Sequence, residues 1–399
     1  MPSRRDFLKL GLRGSSLIAL APTVPGFLAR TARAATAERD SRVLVVIQLD
    51  GGNDGINTIV PFADEGYARH RQTLQLPKDQ LIKIDEHVGL HPAMREAGKL
   101  LETGRLAIVP GVGYPNPSRS HFQSMAVWQT GRLDPEEHGG PGWLGRGFDT
   151  ARSRAESLFI GSGTPPVALR GRRAVALSLE RMEDLTLDAP VDAPRIDPTH
   201  ELAGDDLTAF VRRSTLDAYT SADRLTELTR NRGTEASYPA TALADRLRTI
   251  ARLLKGGYAT RVFYTTQGGY DTHASQLFPH ADLLRVLSGA LKAFLDDLAA
   301  AGLAERVLVL GFSEFGRRVA ENGSAGTDHG TAGPVLLAGA GVRPGLAGTY
   351  PSLTDLEAGD LKMSVDFRRV YATVRTGWLE LPADSALGDN VSPLPLLQA

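Results

Sequence analysis

Val43-Leu44-Val45-Val46-Ile47-Gln48-Leu49 runs directly into Asp50-Gly51-Gly52. The run is apolar except at Gln48, rich in β-branched side chains, and too short for a core helix. It predicts a strand buried on both faces, as a parallel sheet requires, with a carboxylate at its carboxyl end. Further strands are expected at 106–109, 261–266, 306–312 and 334–338. Helical patterns lie between them at 92–102, 242–254, 275–301 and 365–379. Strands alternating with helices give an α/β fold: a mostly parallel central sheet with helices on both faces. The stretch 140–240 breaks this rhythm. Its part 184–206 is rich in Asp, Pro and Thr, and the whole stretch reads as a cap or insertion.

Composition narrows the function. With 42% hydrophobic and 23% charged residues, the 399-residue chain has enough apolar surface to build a core. A formal charge of −1 argues against a nucleic-acid partner. Cysteine is absent, which removes disulfides, thiolate catalysis, thiolate zinc sites and iron–sulfur clusters.

The first 34 residues read as an address. Arg4-Arg5, Phe7 and Lys9 precede an apolar stretch, and Ala32-Arg33-Ala34 follows as a cleavage site. This resembles a twin-arginine export signal, which implies the twin-arginine translocase as a partner and a periplasmic or secreted destination. Pro22 and Pro25 argue against a stable membrane span. Residues 1–34 hold six of the 45 basic and one of the 46 acidic residues. The remainder therefore carries 39 basic and 45 acidic side chains, or −6. Such a chain needs local cations to bind an anionic substrate, and metal ions would supply them.

Several turns next to predicted strands carry metal-ligating side chains. Asp50 ends the first strand, where α/β proteins place their sites; it is a hard oxygen ligand or a turn former before glycine. Asp271 and His273 follow the third strand, as ligands on a short tether or as a helix cap with a satisfied histidine. Glu314 follows the fourth strand, and Asp328-His329 leads into the fifth. If the fold reading holds, these turns converge. Ser120 precedes a helical stretch, as a nucleophile next to a metal or simply as an N-cap. His121 is a candidate acid, ligand or support, or a histidine that only stabilises the helix. Asn53, Arg119 and Arg317 are candidates for the substrate's non-bridging oxygens. Arg317 reads equally as a solvated side chain or a partner of Glu321.

The blocks 49–57, 90–94, 114–131, 269–276, 313–317 and 328–342 together resemble an uncharacterised twin-arginine-exported family, a domain of unknown function in the alkaline phosphatase-like superfamily. That resemblance implies an alkaline phosphatase-like three-layer fold spanning 35–399. It further implies a metal-dependent hydrolase of phosphate or sulfate esters holding one or two divalent ions. Zinc comes first, with manganese, calcium and iron compatible. Asp50 then matches a ligand of the nucleophile-activating metal, and Ser120 matches the nucleophile, ten residues before Thr130-Gly131. Asp271, His273 and His329 match the remaining ligands. Glu314-Phe315 departs from the superfamily's Asp-His pair, with Asp328 as a possible replacement for the missing ligand. Without cysteine, a formylglycine made from cysteine is excluded, and sulfatase activity by a serine-based route stays a lesser alternative. The rival expectation is a non-catalytic exported binding or scaffold protein that keeps a reduced metal site.

Overall fold

The computed structural model describes residues 42–150, 157–172, 174, 176–180, 236–258, 260–388 and 391–398. Chain contacts separate a large unit (40–180, 234–255 and 260–399) from a small one (1–39, 181–233 and 256–259). The export signal and the stretch 184–206 lie outside the described residues.

Nine strands form the central sheet of the large unit: β1 (Val43–Leu49), β2 (Leu106–Gly113), β3 (Ser157–Ile160), β4 (Ala176–Leu179), β5 (Val262–Gln267), β6 (Val307–Ser313), β7 (Gly333–Ala338), β8 (Gly345–Leu346) and β9 (Val365–Asp366). Their order is β8-β2-β7-β6-β1-β5-β3-β4, with β9 pairing beside β2. β1 is central and parallel to both β5 and β6. Only β7 runs antiparallel to its neighbours. The sheet is therefore mixed and mostly parallel, as the run 43–49 predicted. β3 and β4 fall inside the stretch read as a cap or insertion, yet they pair in parallel next to β5. Each has only four residues, too few for a periodic signal.

Eight helices are named in chain order: α1 (Gly55–Thr58), α2 (Glu65–His70), α3 (Arg95–Glu102), α4 (His121–Thr130), α5 (Trp143–Thr150), α6 (Ala242–Lys255), α7 (Leu277–Ala300) and α8 (Phe367–Ala372). The last continues as a π-helical turn, Thr373–Trp378. Alternate residues of β1 face opposite sides, and both sides are buried. Leu44 and Val46 join a core with Trp128 of α4, Trp143 of α5, and Phe367 and Tyr371 of α8. Trp128 stacks on Phe312 at 5.0 Å between centroids, and Trp143 stacks on Tyr371 at 3.9 Å. The other parity, Val43, Val45 and Ile47, is equally buried. A second layer is formed by α7 with α3 and α6 packed against it.

Strand direction positions the site. β1, β2, β5 and β6 end at one edge of the sheet, and antiparallel β7 begins there. Asp50, the 114–121 segment, the 268–273 loop, Glu314 and the 328–332 segment therefore meet at that edge.

Candidate metal centre

Three imidazoles and one carboxylate converge at this edge. The metal-binding atoms of His121, Asp271 and His329 lie within 4.8 Å of one another. His329 Nε2 and His273 Nε2 are each 3.1 Å from Asp271 Oδ1 and 3.0 Å from each other. His121 Nε2 is 3.6 Å from Asp271 Oδ2.

The partners behind the rings fix which nitrogen faces inward. His329 Nδ1 is 2.8 Å from the Arg119 carbonyl, His121 Nδ1 is 2.8 Å from Glu314 Oε1, and His273 Nδ1 is 3.2 Å from Asp328 Oδ1. A carbonyl or carboxylate only accepts, so each Nδ1 donates. In a neutral ring, each Nε2 then presents a lone pair toward Asp271. Three nitrogen lone pairs and a carboxylate aimed at one point repel one another; the Arg317 guanidinium, 2.6 Å from Asp271 Oδ1 and 3.5 Å from His273 Nε2, offsets part of this, and a cation between the ligand atoms would offset the rest. This donor set fits a divalent ion of the zinc type, with the outward N–H groups anchored as metal-binding histidines require.

Other carboxylates add to the demand for positive charge. Burial raises the Asp50 pKa above the ordinary carboxylate range; a bond from the Gln48 amide opposes this, and the Glu314 charge adds to it. For Asp271, burial works upward but loses to the bond and charge of Arg317, and its pKa falls to about 2.

Local sequence explains how the turns come so close. Gly51 has φ +119°, and a Cβ there would sit 2.4 Å from the Asp271 backbone nitrogen. Gly52 has φ +70°, and a Cβ there would enter the Phe315 ring. Only glycine permits both the backbone conformation and the contact.

Not every expected residue faces the centre. Arg317 is 1% exposed. It donates to the carbonyls of Gly51, Gly52, Tyr270 and Thr327 and, at 2.6 Å, to Asp271 Oδ1. With its donors used in tying three loops together, it is neither a substrate clamp nor a solvated side chain. Glu321, its other expected partner, accepts from the Thr73 and Leu74 amides instead. The Arg119 side chain pairs with Asp360, and only its carbonyl serves the centre. Asn53 is buried, its Oδ1 accepting from Thr58 Oγ1 and His280 Nε2. Glu314 and Asp328, expected as ligands, stand behind His121 and His273. Glu314 accepts the Gly51 amide at 3.0 Å, and its other oxygen is 2.9 Å from Ser313 Oγ. Asp328 also accepts from Asn322.

Ser120 occupies the N-cap position of α4, but its side chain makes no capping bond. The Ser120 amide donates instead to Ser118 Oγ at 3.1 Å.

One contributor, Gln48, escaped the sequence reading, and Phe315, noted there only beside Glu314, proves to pack on the imidazoles. Gln48 donates to Asp50 Oδ1 and accepts from Tyr264 and from Gln129 Nε2. The signal was present, as the one polar residue in a buried strand two positions before a site carboxylate. Phe315, 3% exposed, lies 5.0 Å from the His121 ring and 4.8 Å from the His329 ring.

A cavity of about 570 Å³ opens beside the centre, with Asp50, His121, Asp271 and Glu314 in its wall. Among the described residues, no helix is long and apolar enough to cross a membrane.

The family model described as "Protein of unknown function (DUF1501)" matches residues 41–379. No curated protein matches the sequence. Among solved structures, the chain is similar to the PsFucS1 sulfatase from Pseudoalteromonas sp., at 12% identity and TM-score 0.40, over 92% of this chain and 76% of that one. It is similar to the lipoteichoic acid synthase LtaP from Listeria monocytogenes, at 9% identity and TM-score 0.35, over 84% and 80%. A third similarity is to a protein in the alkaline phosphatase superfamily from Vibrio parahaemolyticus, at 10% identity and TM-score 0.37, over 82% and 72%.

Proposed function

This chain belongs to the DUF1501 family, and we propose that it is an exported, metal-dependent hydrolase of phosphate or sulfate esters. The observation that carries this reading is the group His121, Asp271 and His329, whose ligand atoms lie within 4.8 Å of one another, with His273 Nε2 3.1 Å from Asp271 Oδ1 and each ring anchored through Nδ1. One divalent ion fits that set. Phe315 in place of a histidine leaves a second ion without its ligand, so a single-ion centre is the better reading. The ion would supply a Lewis acid for a non-bridging oxygen of the ester.

The protein's own groups do the rest. Ser120 is the nucleophile, at the start of a ten-residue helix whose first-turn amides favour negative charge. Glu314 and Asp328 hold His121 and His273 in the ligating tautomer. Arg317 fixes the Asp271 carboxylate and the loops around it. The twin-arginine signal at 4–9 and the cleavage site at 32–34 support export before action.

Metal content of the purified full chain tests the centre. About one equivalent of zinc, manganese or iron is expected, lost in His329→Ala and Asp271→Asn and kept in Ser120→Ala. Turnover of p-nitrophenyl phosphate or sulfate should disappear in all three variants. A folded protein that takes up none of these ions would overturn the reading. Export is tested separately: an Arg4→Lys/Arg5→Lys chain should stay in the cytoplasm of an expressing bacterium.

A further inference from the structure

Helix α4 has two apolar faces, and the core uses only one of them. Val127 and Trp128 pack inward. On the other side Phe122 and Ala126 line the cavity beside the centre, and Met125, at the boundary, lines it while also packing against the core. Phe122 is 90% exposed, one of three large hydrophobic side chains left so among the described residues. An exposed large apolar side chain beside a cavity marks a surface that a ligand can cover. Here the uncovered side begins one residue after His121 and continues along the cavity wall, with Val167 opposite in sequence but on the same lining.

The polar part of the same wall carries Asp50, Asp271 and Glu314. No lysine or arginine lines the cavity among the described residues. One divalent ion together with the buried Arg317 offsets those three carboxylates in formal charge. The ester's own anionic group finds the ion; His138, the other imidazole of the lining, is engaged through Nε2 with the Arg132 carbonyl at 3.1 Å, and no lysine or arginine of the lining remains for a second anionic group.

We propose that the organic part of the substrate is apolar, of aryl or short-alkyl size, and carries no further anionic group. This rests on the hydrolase reading above. The cavity of about 570 Å³ accommodates a small-molecule ester of this class. Phe122 covers the apolar group at the mouth, and Met125 and Ala126 form the surface beneath it. Gln129, the next residue along this face, closes the wall: its Oε1 accepts the Val167 amide at 3.0 Å, and its Nε2 donates to Gln48.

Isothermal titration of the zinc-loaded full chain with phenylphosphonate and methylphosphonate tests this. The two probes share the anionic head and differ in the apolar group. Burying the ring should make phenylphosphonate bind about ten-fold tighter or more. Phe122→Ser and Met125→Ser should each shrink that ratio; Phe122 is 90% exposed, and because Met125 also packs against the core, the Met125→Ser chain is first checked for an unchanged circular dichroism spectrum. Equal affinities, or a ratio untouched by both substitutions, overturn the proposal. So does tighter binding of methylenebisphosphonate than of phenylphosphonate. Hydrolysis of phenyl phosphate is read in parallel. Preference for phenylphosphonate without any turnover would retain the pocket assignment and sink the hydrolase reading. Turnover with indifference to the organic group would do the reverse.

Discussion

Glu314 illustrates how much one carboxylate can do from behind a ligand. It accepts from His121 Nδ1 and the Gly51 amide, and lies beside Ser313 Oγ. Glu314→Gln keeps the shape and replaces the negative acceptor with an amide that can turn its NH₂ toward His121. Loss of such a partner usually weakens metal affinity or activity by about 10–100-fold. Competition against a chromophoric zinc chelator should show that drop. Asp328→Asn should cost less, because Asp328 is exposed and shares its load with Asn322. An unchanged zinc affinity in Glu314→Gln would mean that His121 is not a ligand.

Among the elements, the loop after β1 and helix α4 matter most. Gly51→Ala would place a methyl group 2.4 Å from the Asp271 nitrogen at a φ that L residues avoid. The loop 270–271 must then move, taking Asp271 from the three imidazoles. Zinc affinity should fall together with about 1–3 kcal/mol of stability, read by urea unfolding. Trp128→Ala, on the core side of α4, should cost about 3–5 kcal/mol by opening a cavity against Phe312 and Phe367. Metal binding in the fraction that remains folded should be nearly normal, which separates the two faces of the helix.

At the scale of the whole molecule, a buried polar network sets the response to acid. Asp54 and Arg71 are both fully buried and paired at 2.5 Å, with Gln276 bonded to the same carboxylate. Burial pushes the Asp54 pKa up, but the Arg71 charge and bonds outweigh it and bring it to about 2. Nearby His91 and His280 are both lowered to about 4, chiefly by burial. A histidine whose pKa is depressed on folding contributes stability that is complete above about 6.5 and lost as pH falls toward 4. Asp54 adds a later loss, from about 4 down to 2, of roughly 2 kcal/mol. Unfolding free energy should therefore decline between pH 7 and 4.5, before any carboxylate is fully titrated. His91→Asn keeps an acceptor for the Ala93 amide and should flatten part of that slope. Identical stability of the native chain at pH 7 and 4.5 would show that these histidines are not held neutral.

The sequence by itself determined the strand 43–49, the mostly parallel sheet around it and the turns that carry chemistry. These are local matters: a short β-branched run has few ways to bury both faces, and Asp-Gly-Gly after it can only turn. It also contained every residue now grouped at the centre. What it could not assign was which of them face inward. Glu314 and His121 are 193 positions apart, and His329 and Arg119 are 210 apart. Whether a carboxylate faces an ion or stands behind an imidazole depends on those distances, which no local pattern encodes. The same holds for Arg317, whose place under three loops follows from where they cross. The strands β3 and β4 were missed because four-residue segments gain their identity from the neighbour they pair with. The open face of α4 was invisible because its apolar residues read as core, and only packing of the other face showed which of them the core left uncovered.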